Sequence, residues 1–325
     1  MNFSVWITWE TQRRNSELSK RFGAKRHVMD YSNRGALARY LICIWRTCRL
    51  LATRRPRVVF VQSPSIVLAL LAVILKRLLS FKVAVDAHNI VIEQALSGKG
   101  AVSFIARTGL RWADWVIVSN NALRDSLAGI STNILVIPDP LPDISAGKSG
   151  LITRNREYPA VTLICSFASD EPIEDFILAS RDCRLPHVLF ITGSKKKAGD
   201  LLRYESESIR FTGYLAEADF ESLISTSDIL VDLTTRENCL VCGAYEALAV
   251  GVPCILSDTT ALRETFPEGF VFTGNNTDDF ARALERAIKD RNEMAKGMGQ
   301  CRTVFEVRWA SLFEVAKREI YPGGS

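Results

Sequence analysis

Short runs of β-branched and aromatic residues alternate with segments of helical periodicity along the whole 325-residue chain. Runs of this kind, bounded by turn residues, are typical of buried strands, and strands that alternate with helices are typical of parallel sheets covered by helices. The alternation therefore predicts an α/β fold, and the length favours two doubly wound domains. With 47% hydrophobic and 24% charged residues, the composition excludes a disordered chain and a collagen-like repeat.

We predict two series of elements, one in each half of the chain. The first has strands near 3–9, 26–31, 57–62, 82–87, 115–119 and 134–138, and helices near 13–22, 34–53, 65–79, 101–113 and 121–128. The second has strands near 160–166, 187–193, 209–213, 228–233, 253–257 and 270–273, and helices near 172–183, 196–206, 217–226, 240–250, 277–296 and 305–320.

A segment rich in Pro, Gly, Ser and Asp, residues 138–150, separates the two series and is predicted to be a linker. We expect a first domain at 1–142, a second at 143–305 and a last helix, 306–325, that packs back toward the first domain. Two such domains would face a cleft, and ligands of doubly wound sheets bind beyond the carboxyl ends of the strands. Functional residues are therefore expected in the loops that follow strands.

Positive and negative charges are divided unevenly between the halves. Residues 1–150 hold 21 Lys and Arg against 9 Asp and Glu, whereas residues 151–325 hold 20 against 27, which gives net charges of +12 and −7. No acidic residue occurs between residues 31 and 85. The asymmetry predicts two domains with different electrostatic partners.

Eight cysteines are spread over a chain long enough to bury a core, so we expect reduced thiols in a cytosolic compartment and no disulfide framework. The pair Cys239 and Cys242 has neither a second pair nor a histidine cluster to complete a zinc site. The N-terminus is typical of a buried strand and not of a signal peptide. The longest apolar run, residues 66–75, is shorter than the roughly 20 residues that span a bilayer, so we expect a soluble or peripheral protein.

The densest group of candidate functional residues follows the strand at 228–233. The loop Thr-Thr-Arg-Glu-Asn leads into a helix that carries Glu246 among small side chains and ends at Gly251 and Pro253. A carboxylate in this position can accept hydrogen bonds from both hydroxyls of a ribose. The amino end of the helix, with its unpaired N–H groups, is expected to hold a diphosphate.

This stretch, ENCLVCGAYEALAVGVPCILSD, resembles the nucleotide-sugar signature of glycosyltransferase family 4 and related GT-B enzymes. The resemblance covers most of residues 155–290 and extends more weakly over the first domain. It implies two Rossmann-like domains and transfer of a sugar from a nucleotide diphosphate sugar with retention of configuration. It also implies that Glu246 binds the ribose and that Glu237 lies near the sugar hydroxyls. Arg236, Cys239 and Leu240 would complete the donor loop.

The sequence departs from the family pattern at two places. The family has two acids eight residues apart, but the residue eight before Glu246 is Asn238. Either Asn238 makes the hydroxyl contact as an amide or the loop shifts by one residue so that Glu237 does. The loop at 166–175, where the family has basic residues for the diphosphate, is acidic here. The segment from Gly193 to Lys195 and the next two lysines, or alternatively Arg236, would then bind the diphosphate.

In the first domain, His88 follows the strand at 82–87, and related GT-B enzymes often place a histidine there facing the donor sugar. We predict His88 and Glu237 as catalytic residues. The loop after the first strand supplies candidate acceptor-binding residues. Trp9 is expected to stack on a sugar, Arg13 and Arg14 to bind a phosphate-bearing acceptor, and Glu10 to orient it.

Two cationic and apolar helical segments of the acid-free region suggest contact with an anionic membrane. The residues predicted to face it are Arg39, Arg46, Arg49, Lys76 and Arg77. The alternative is a core helix with a solvated arginine face. The predicted enzyme is thus a metal-independent glycosyltransferase without a cofactor. Metal independence is expected because no Asp-x-Asp follows a strand and because the resemblance implies it. The enzyme would act on a lipid-linked saccharide or polysaccharide precursor at the cytoplasmic face of the plasma membrane, because the first domain is basic.

Two other functions are consistent with the sequence. A sugar-nucleotide epimerase would have the same architecture but needs no acceptor. A non-catalytic adaptor could use the same arginines to bind nucleic acid. Nucleic acid is not the expected partner, because aromatic residues are too sparse for a stacking platform.

Overall fold

The computed structural model describes residues 3–63, 65–144 and 157–322, so that residues 145–150 of the predicted linker lie outside the described residues. The chain divides into two compact units, one formed by Met1–Pro140 with Trp309–Ser325 and the other by Leu141–Arg308. The predicted domain boundaries, at 142 and 305, lie within three residues of this division.

The first unit contains a six-stranded parallel sheet with the order β2-β1-β3-β4-β5-β6. Its strands are β1 (Ser4–Thr8), β2 (Lys25–Val28), β3 (Val58–Gln62), β4 (Lys82–Asp86), β5 (Trp115–Val118) and β6 (Ile134–Val136). Its helices are α1 (Arg13–Arg21), α2 (Ala36–Arg54), α3 (Ile66–Leu79), α4 (Asn89–Leu96), α5 (Gly100–Trp112) and α6 (Asn121–Ser126). Strands β1 and β3 are buried on both faces, which explains their continuous apolar sequences.

The second unit contains another six-stranded parallel sheet, with the order β12-β11-β10-β7-β8-β9. Its strands are β7 (Ala160–Leu163), β8 (Val188–Thr192), β9 (Ile209–Gly213), β10 (Ile229–Asp232), β11 (Cys254–Ser257) and β12 (Phe270–Thr273). Its helices are α7 (Ile173–Asp182), α8 (Lys195–Ala198), α9 (Glu217–Thr226), α10 (Cys242–Val250), α11 (Thr260–Thr265) and α12 (Thr277–Ile320), with a 3-10 helix at Gly199–Tyr204.

All twelve predicted strands are present among the described residues, and the predicted α/β class with two doubly wound parallel sheets is confirmed. The helices differ more from the prediction. Helices α4 and α11 were not predicted, and the helix expected at 196–206 is a single turn followed by a 3-10 helix. The helix expected at 240–250 begins two residues later, at Cys242.

Helix α12 runs without interruption from Thr277 to Ile320, whereas the sequence predicted two helices separated near residues 297–304. Its last part belongs to the first unit. There the Nε1–H of Trp309 donates to the carbonyl oxygen of Pro138 at 2.9 Å, and Phe313 packs on Phe22 with ring centroids 4.7 Å apart. The end of the chain thereby completes the hydrophobic packing of the first unit.

Each sheet has one point at which the strand order reverses, and the loops at this point diverge to leave a crevice. In the first unit it lies between β1 and β3, and in the second between β7 and β10. The loops after these four strands are where ligand-binding residues are expected.

Candidate active site

The loops after β7 and β10 are joined by hydrogen bonds at the reversal point of the second sheet. The Oγ1–H of Thr234 donates to Oδ2 of Asp170 at 2.8 Å, and the backbone N–H of Thr235 donates to the carbonyl oxygen of Asp170 at 2.8 Å. On the other side, Nδ2 of Asn275 donates to the carbonyl oxygen of Thr234 at 3.0 Å. The loop that leads into α10 is therefore held from both sides by neighbouring strand ends.

A buried acid, Asp232, caps the amino end of α10. Its Oδ2 accepts a hydrogen bond from the N–H of Gly243 at 2.7 Å. A Cβ atom at position 243 would lie 2.6 Å from that oxygen, so only glycine allows this approach. Burial, together with the nearby charges of Glu246, Glu171 and Asp170, raises the pKa of Asp232 well above its usual range, against the opposing effect of the Gly243 hydrogen bond. Contrary to our expectation, one N–H of the helix end is already paired.

The two candidate sugar-binding residues of this loop have different surroundings. Oε1 of Glu237 accepts a hydrogen bond at 2.8 Å from the N–H of Thr260, the first residue of α11. Asn238 is exposed in the same loop, and Glu246 lies half-buried on α10. The carboxylate of Glu237 is thus engaged at the start of a neighbouring helix.

The other donor-loop candidates are close to these residues. The N–H of Arg236 donates to Oγ1 of Thr234 at 3.1 Å, and the N–H of Cys239 donates to the carbonyl oxygen of Arg236 at 3.3 Å. Leu240 is half-buried just before α10. The structure therefore brings Arg236 through Leu240 together in one tight loop.

The acidic loop after β7 satisfies its own backbone donors. The carboxylate of Glu171 accepts hydrogen bonds from the N–H of Ser166, at 3.0 and 3.2 Å, from its Oγ–H at 2.9 Å, and from the N–H of Ala168 at 3.0 Å. Glu171, whose charge is opposite to that expected for a diphosphate site, thus accepts hydrogen bonds from the amides of its own loop.

Gly193 allows the loops after β7 and β8 to approach each other. Its φ is +97°, and a Cβ atom there would lie 2.6 Å from the carbonyl oxygen of Cys165 and 2.9 Å from the ring of Phe167. A side chain at this position would push the two loops apart, which explains why glycine occupies it.

The lysines after β8 have different partners. Nζ of Lys195 bonds the carboxylate of Glu205 at 2.9 Å, whereas Nζ of Lys197 donates to the carbonyl oxygen of Ser166 at 3.3 Å. Lys197 therefore places its ammonium group beside the loop after β7, and Lys195 is turned to the 3-10 helix side.

In the first unit, His88 immediately precedes α4 and is exposed. Its N–H donates to Oγ of Ser63, at 3.1 Å, and the N–H and Oγ–H of Ser63 both donate to the carbonyl oxygen of Asp86 at 3.1 Å. The N–H of Ala87 donates to the carbonyl oxygen of Ile117 at 2.8 Å. The loop that carries His88 is thus fixed to the strands on either side.

Arg14 does not have the exposed guanidinium expected of an acceptor-binding residue. Its Nε donates to both carboxylate oxygens of Asp86, at 3.0 and 3.1 Å, its Nη2 donates to the carbonyl oxygen of Ile137 at 3.0 Å, and its Nη1 bonds Asp139. Burial alone would lower the pKa of Arg14, but the two carboxylates raise it overall. All three guanidinium nitrogens of this largely buried side chain are engaged within the first unit, so Arg14 does not offer the accessible guanidinium that the prediction of acceptor binding requires.

The prediction for Trp9 is also wrong. The side chain is 1% exposed in the core of the first unit, and its Nε1–H donates to Oγ1 of Thr47 at 3.2 Å, so the ring offers no face to a sugar. Glu10 forms an ion pair with Arg39 at 3.0 Å, and Arg13 is exposed at the start of α1. Of the four acceptor candidates, Glu10 and Arg13 remain accessible.

The cations predicted to face a membrane fall into two groups. Arg39 and Lys76 are mostly buried and paired, with Glu10 and with Asp114 at 3.0 Å, so their assignment is wrong. Arg46, Arg49 and Arg77 are exposed on α2 and α3. Helix α3 contacts both α2 and α5, and the three helices also carry large exposed apolar side chains. We call this set the α2/α3/α5 face: Leu37, Leu41, Trp45, Ile74, Leu78 and Phe104. Within the described residues, no helix is long and apolar enough to cross a membrane.

Sequence reasoning missed several residues whose role depends on tertiary contacts. Asp232 was read as part of a strand, Asp139 as part of a linker, and Asp170 and Glu171 only as charge of the wrong sign. The positions of Asp232 and Asp170 at strand ends were the only available signal. The part of the chain that the structure describes contains no group of three or more His, Cys, Asp or Glu residues arranged to hold a metal ion, and all eight cysteines are free.

Both halves of the chain match families of known proteins. Residues 166–290 match a family described as glycosyl transferases group 1, and residues 7–139 match a glycosyl transferase 4-like domain. No curated protein matches the sequence.

Solved structures share the fold at low sequence identity. The structure of sucrose-phosphate synthase from Thermosynechococcus elongatus is 14% identical, with a TM-score of 0.76 over 97% of this chain and 98% of that one. HepE from Anabaena in complex with UDP is 12% identical, with a TM-score of 0.74 over 97% and 98%. A protein described as a UDP-N-acetylglucosamine 2-epimerase from Listeria monocytogenes is 14% identical, with a TM-score of 0.66 over 93% and 91%.

Proposed function

Because the chain belongs to the group 1 glycosyltransferases and has the GT-B fold, we propose that it transfers a sugar from a UDP- or GDP-linked donor to a lipid-linked acceptor. The acceptor is a saccharide or polysaccharide precursor at the cytoplasmic face of the membrane. The reaction proceeds with retention and without a metal ion or cofactor. The use of a nucleotide sugar is a property of the whole family. The acceptor, the location and the retention of configuration are proposed for this chain.

The observation that carries the proposal is the position of Glu246 on α10, the helix that directly follows the loop at 234–240. Glu246 lies half-buried on α10, and its charge is near enough to Asp232, at the end of β10, to contribute to the raised pKa of that carboxyl. A carboxylate there accepts hydrogen bonds from the 2′- and 3′-hydroxyls. HepE has been solved with UDP and with UDP-glucose, which supports a uridine nucleotide as the first donor to test.

Asn238 takes the contact with the donor sugar, and Glu237 supports the loop. The hydrogen bond from Thr260 to Glu237 ties that carboxylate to α11, while the neighbouring Asn238 is exposed. An amide can both donate to and accept from sugar hydroxyls, whereas a carboxylate only accepts. These contacts favour Asn238 over Glu237 as the residue that binds the sugar hydroxyls.

The leaving diphosphate is stabilised by Lys197 and by the remaining donors of the donor loop. Lys197 lies beside the loop after β7, and Lys195 is paired with Glu205, so Lys197 is the better candidate. Electrostatic stabilisation of charge that develops on the leaving group is commonly the largest catalytic contribution. His88 acts at the donor sugar, and the departing diphosphate helps deprotonate the acceptor, as in related GT-B enzymes.

The α2/α3/α5 face attaches the enzyme to an anionic bilayer. Helices α2, α3 and α5 contain no acidic residue, and their exposed apolar side chains are accompanied by Arg46, Arg49 and Arg77. An apolar patch flanked by cations is the combination that binds membrane interfaces. Attachment there brings the enzyme to lipid-linked acceptors.

The decisive experiment measures binding and slow hydrolysis of a panel of uridine, guanosine and thymidine diphosphate sugars by the purified protein. Glu246→Ala is expected to weaken binding of the preferred donor about 10- to 100-fold, since hydrogen bonds to a charged group contribute about 1.5–3 kcal/mol. Glu293→Ala, which changes an exposed glutamate of α12, is the matched control and should bind normally.

Two outcomes would refute the donor assignment: no nucleotide sugar binds to the wild type, or Glu246→Ala binds as the wild type does. Analysis of the products separates the alternative enzyme. Accumulation of an epimerised sugar or nucleotide sugar in the absence of any acceptor would identify an epimerase.

A further inference from the structure

Arg14 joins three separate segments of the first unit. Besides the two hydrogen bonds of Nε to Asp86 at the end of β4, its Nη2 lies 2.9 Å from Oδ1 of Asp86. The same guanidinium bonds Asp139 and the carbonyl oxygen of Ile137, in the segment that follows β6. Arg14 itself is the second residue of α1, so one side chain connects the ends of β4 and β6 to the start of a helix.

Asp86, which makes three of the contacts with Arg14, lies two positions before His88 in the sequence. The Asp86 side chain is only 3% exposed, and its three contacts with Arg14 are the polar contacts described for its carboxylate. The carbonyl oxygen of Asp86 accepts from Ser63, whose Oγ in turn accepts from the N–H of His88. A change in the position of Asp86 is therefore transmitted to His88 through two links, the peptide backbone and Ser63.

The chemistry of the contact requires arginine. The planar guanidinium has five N–H donors in a fixed fork, and here they are shared between two carboxylates and a carbonyl oxygen. A lysine at this position keeps the charge but has a single nitrogen, which cannot reach all three acceptors. Removing the guanidinium would also leave the carboxylate of Asp86 buried without its counter-charge.

We propose that Arg14 is a positioning residue for catalysis: through Asp86 it fixes the loop of residues 86–88 and thereby places His88 for the reaction. This inference rests on the proposed function, since it needs His88 to act at the donor sugar. It assigns to Arg14 a role in the rate of the reaction and none in binding of the donor, because its contacts all lie within the first unit.

The test compares the turnover of donor hydrolysis, using the nucleotide sugar that binds best in the panel. Arg14→Lys is expected to lower kcat about 10- to 100-fold, because displacements of about 1 Å at a reacting group can cost that much. The KM for the donor should change less than about twofold. Arg34→Lys, which changes an exposed arginine outside the site, is the matched control and should have wild-type kcat.

The readout that separates positioning from mere stability is the same substitution in a His88→Ala background. If Arg14 acts through His88, Arg14→Lys should lower the remaining kcat by less than about twofold there, because coupled residues are not additive. An equal loss in both backgrounds would overturn the proposal, and so would a wild-type kcat for Arg14→Lys or for His88→Ala.

A second variant covers the case in which Arg14→Lys does not fold. Asp86→Asn is isosteric, and its kcat should fall by a similar factor without a change in donor KM, again with little further loss in the His88→Ala background. Binding of the donor by the wild-type protein is measured in the same series. Failure of that binding would refute the proposed function, whereas normal donor binding with a kcat insensitive to both substitutions would refute only the role of Arg14.

Discussion

Asp232, at the reversal point of the second sheet, has a pKa that its surroundings raise well above the usual range. Asp232 is buried beside Glu246, Glu171 and Asp170, and its one described hydrogen bond, from Gly243, does not offset the loss of hydration. The folded state therefore favours the protonated form of Asp232. Because the pKa in the folded state is raised above the unfolded value, the stability linked to this group is fully present below the unfolded pKa. It is lost as the pH rises through the folded pKa.

We expect Asp232→Asn to make the protein more stable than the wild type at alkaline pH and to reduce the loss of stability as the pH rises from the unfolded pKa of this group, 3.8, to alkaline values. The amide oxygen of asparagine can still accept the hydrogen bond from Gly243 but carries no charge to desolvate. The measurement is the melting temperature of both proteins across this range. Asp200→Asn, an exposed control, should follow the wild type. If Asp232→Asn had the same pH dependence of stability as the wild type, the pKa of Asp232 would not be raised in the folded protein.

At the scale of elements, the continuity of α12 shows how tertiary packing overrides local sequence preference. The two predicted helices, 277–296 and 305–320, left a gap that contains Gly297 and Gly299, and glycine is a poor helix former. In the structure, Gly297 lies against Gly269: a Cβ atom at 297 would be 3.1 Å from the backbone nitrogen of Gly269. Gly297 allows the helix to pass close to the loop before β12. The glycine is therefore needed for this close packing and does not end the helix.

Two substitutions in the same helix should therefore have opposite effects. Gly297→Ala is expected to destabilise the protein by about 1–3 kcal/mol, because the added methyl group meets backbone that must shift. Gly299→Ala has nothing within 4 Å of the added carbon and should stabilise the helix by up to about 1 kcal/mol. Urea unfolding of both variants measures the difference. Equal effects of the two substitutions would show that Gly297 has no packing role.

For the whole molecule, the uneven division of charge has a structural counterpart. The basic unit carries the α2/α3/α5 face, on which Trp45 is 58% and Phe104 is 73% exposed. Some of the basic side chains form ion pairs with acidic residues of the same unit; examples are Arg14, Arg39 and Lys76. The surface offered to an anionic partner is therefore smaller than the sequence suggested, and it combines charge with apolar area.

We expect the protein to bind vesicles that contain anionic lipid and to bind neutral vesicles weakly. The triple substitution of Arg46, Arg49 and Arg77 by glutamine should weaken binding about 100-fold, since each cation near the surface contributes about 1 kcal/mol. Trp45→Ala with Phe104→Ala should also weaken it. Tyr214→Ala, which removes an exposed aromatic ring of the second unit, is the control.

Vesicle flotation at two salt concentrations provides the measurement, with an RNA mobility shift on the same samples. Binding of RNA without binding of anionic vesicles would contradict the membrane proposal and favour a nucleic-acid adaptor. Vesicle binding that neither set of substitutions reduces would place the contact elsewhere on the protein.

The sequence by itself determined the fold class and the twelve strands. These follow from local patterns, because burial on both faces of a parallel strand and the start of a helix after it leave signals within a few adjacent residues. His88 and Glu246 were chosen with the help of the resemblance to GT-B enzymes, because a lone histidine or a single glutamate on a helix is not specific by itself. Helices α4 and α11 contain too few residues to show a helical periodicity, so the sequence did not predict them.

Only the tertiary structure decided which charged groups are free to act. Arg14 and Asp86 are 72 positions apart in the sequence, and Glu237 and Thr260 are 23 apart, yet each pair is in direct contact. An ion pair or a cap of this kind depends on distance in space and on burial, neither of which a linear pattern contains. For the same reason Trp9, which looked like a sugar-stacking residue, is a core side chain, and an arginine expected to bind the acceptor holds the loop of His88.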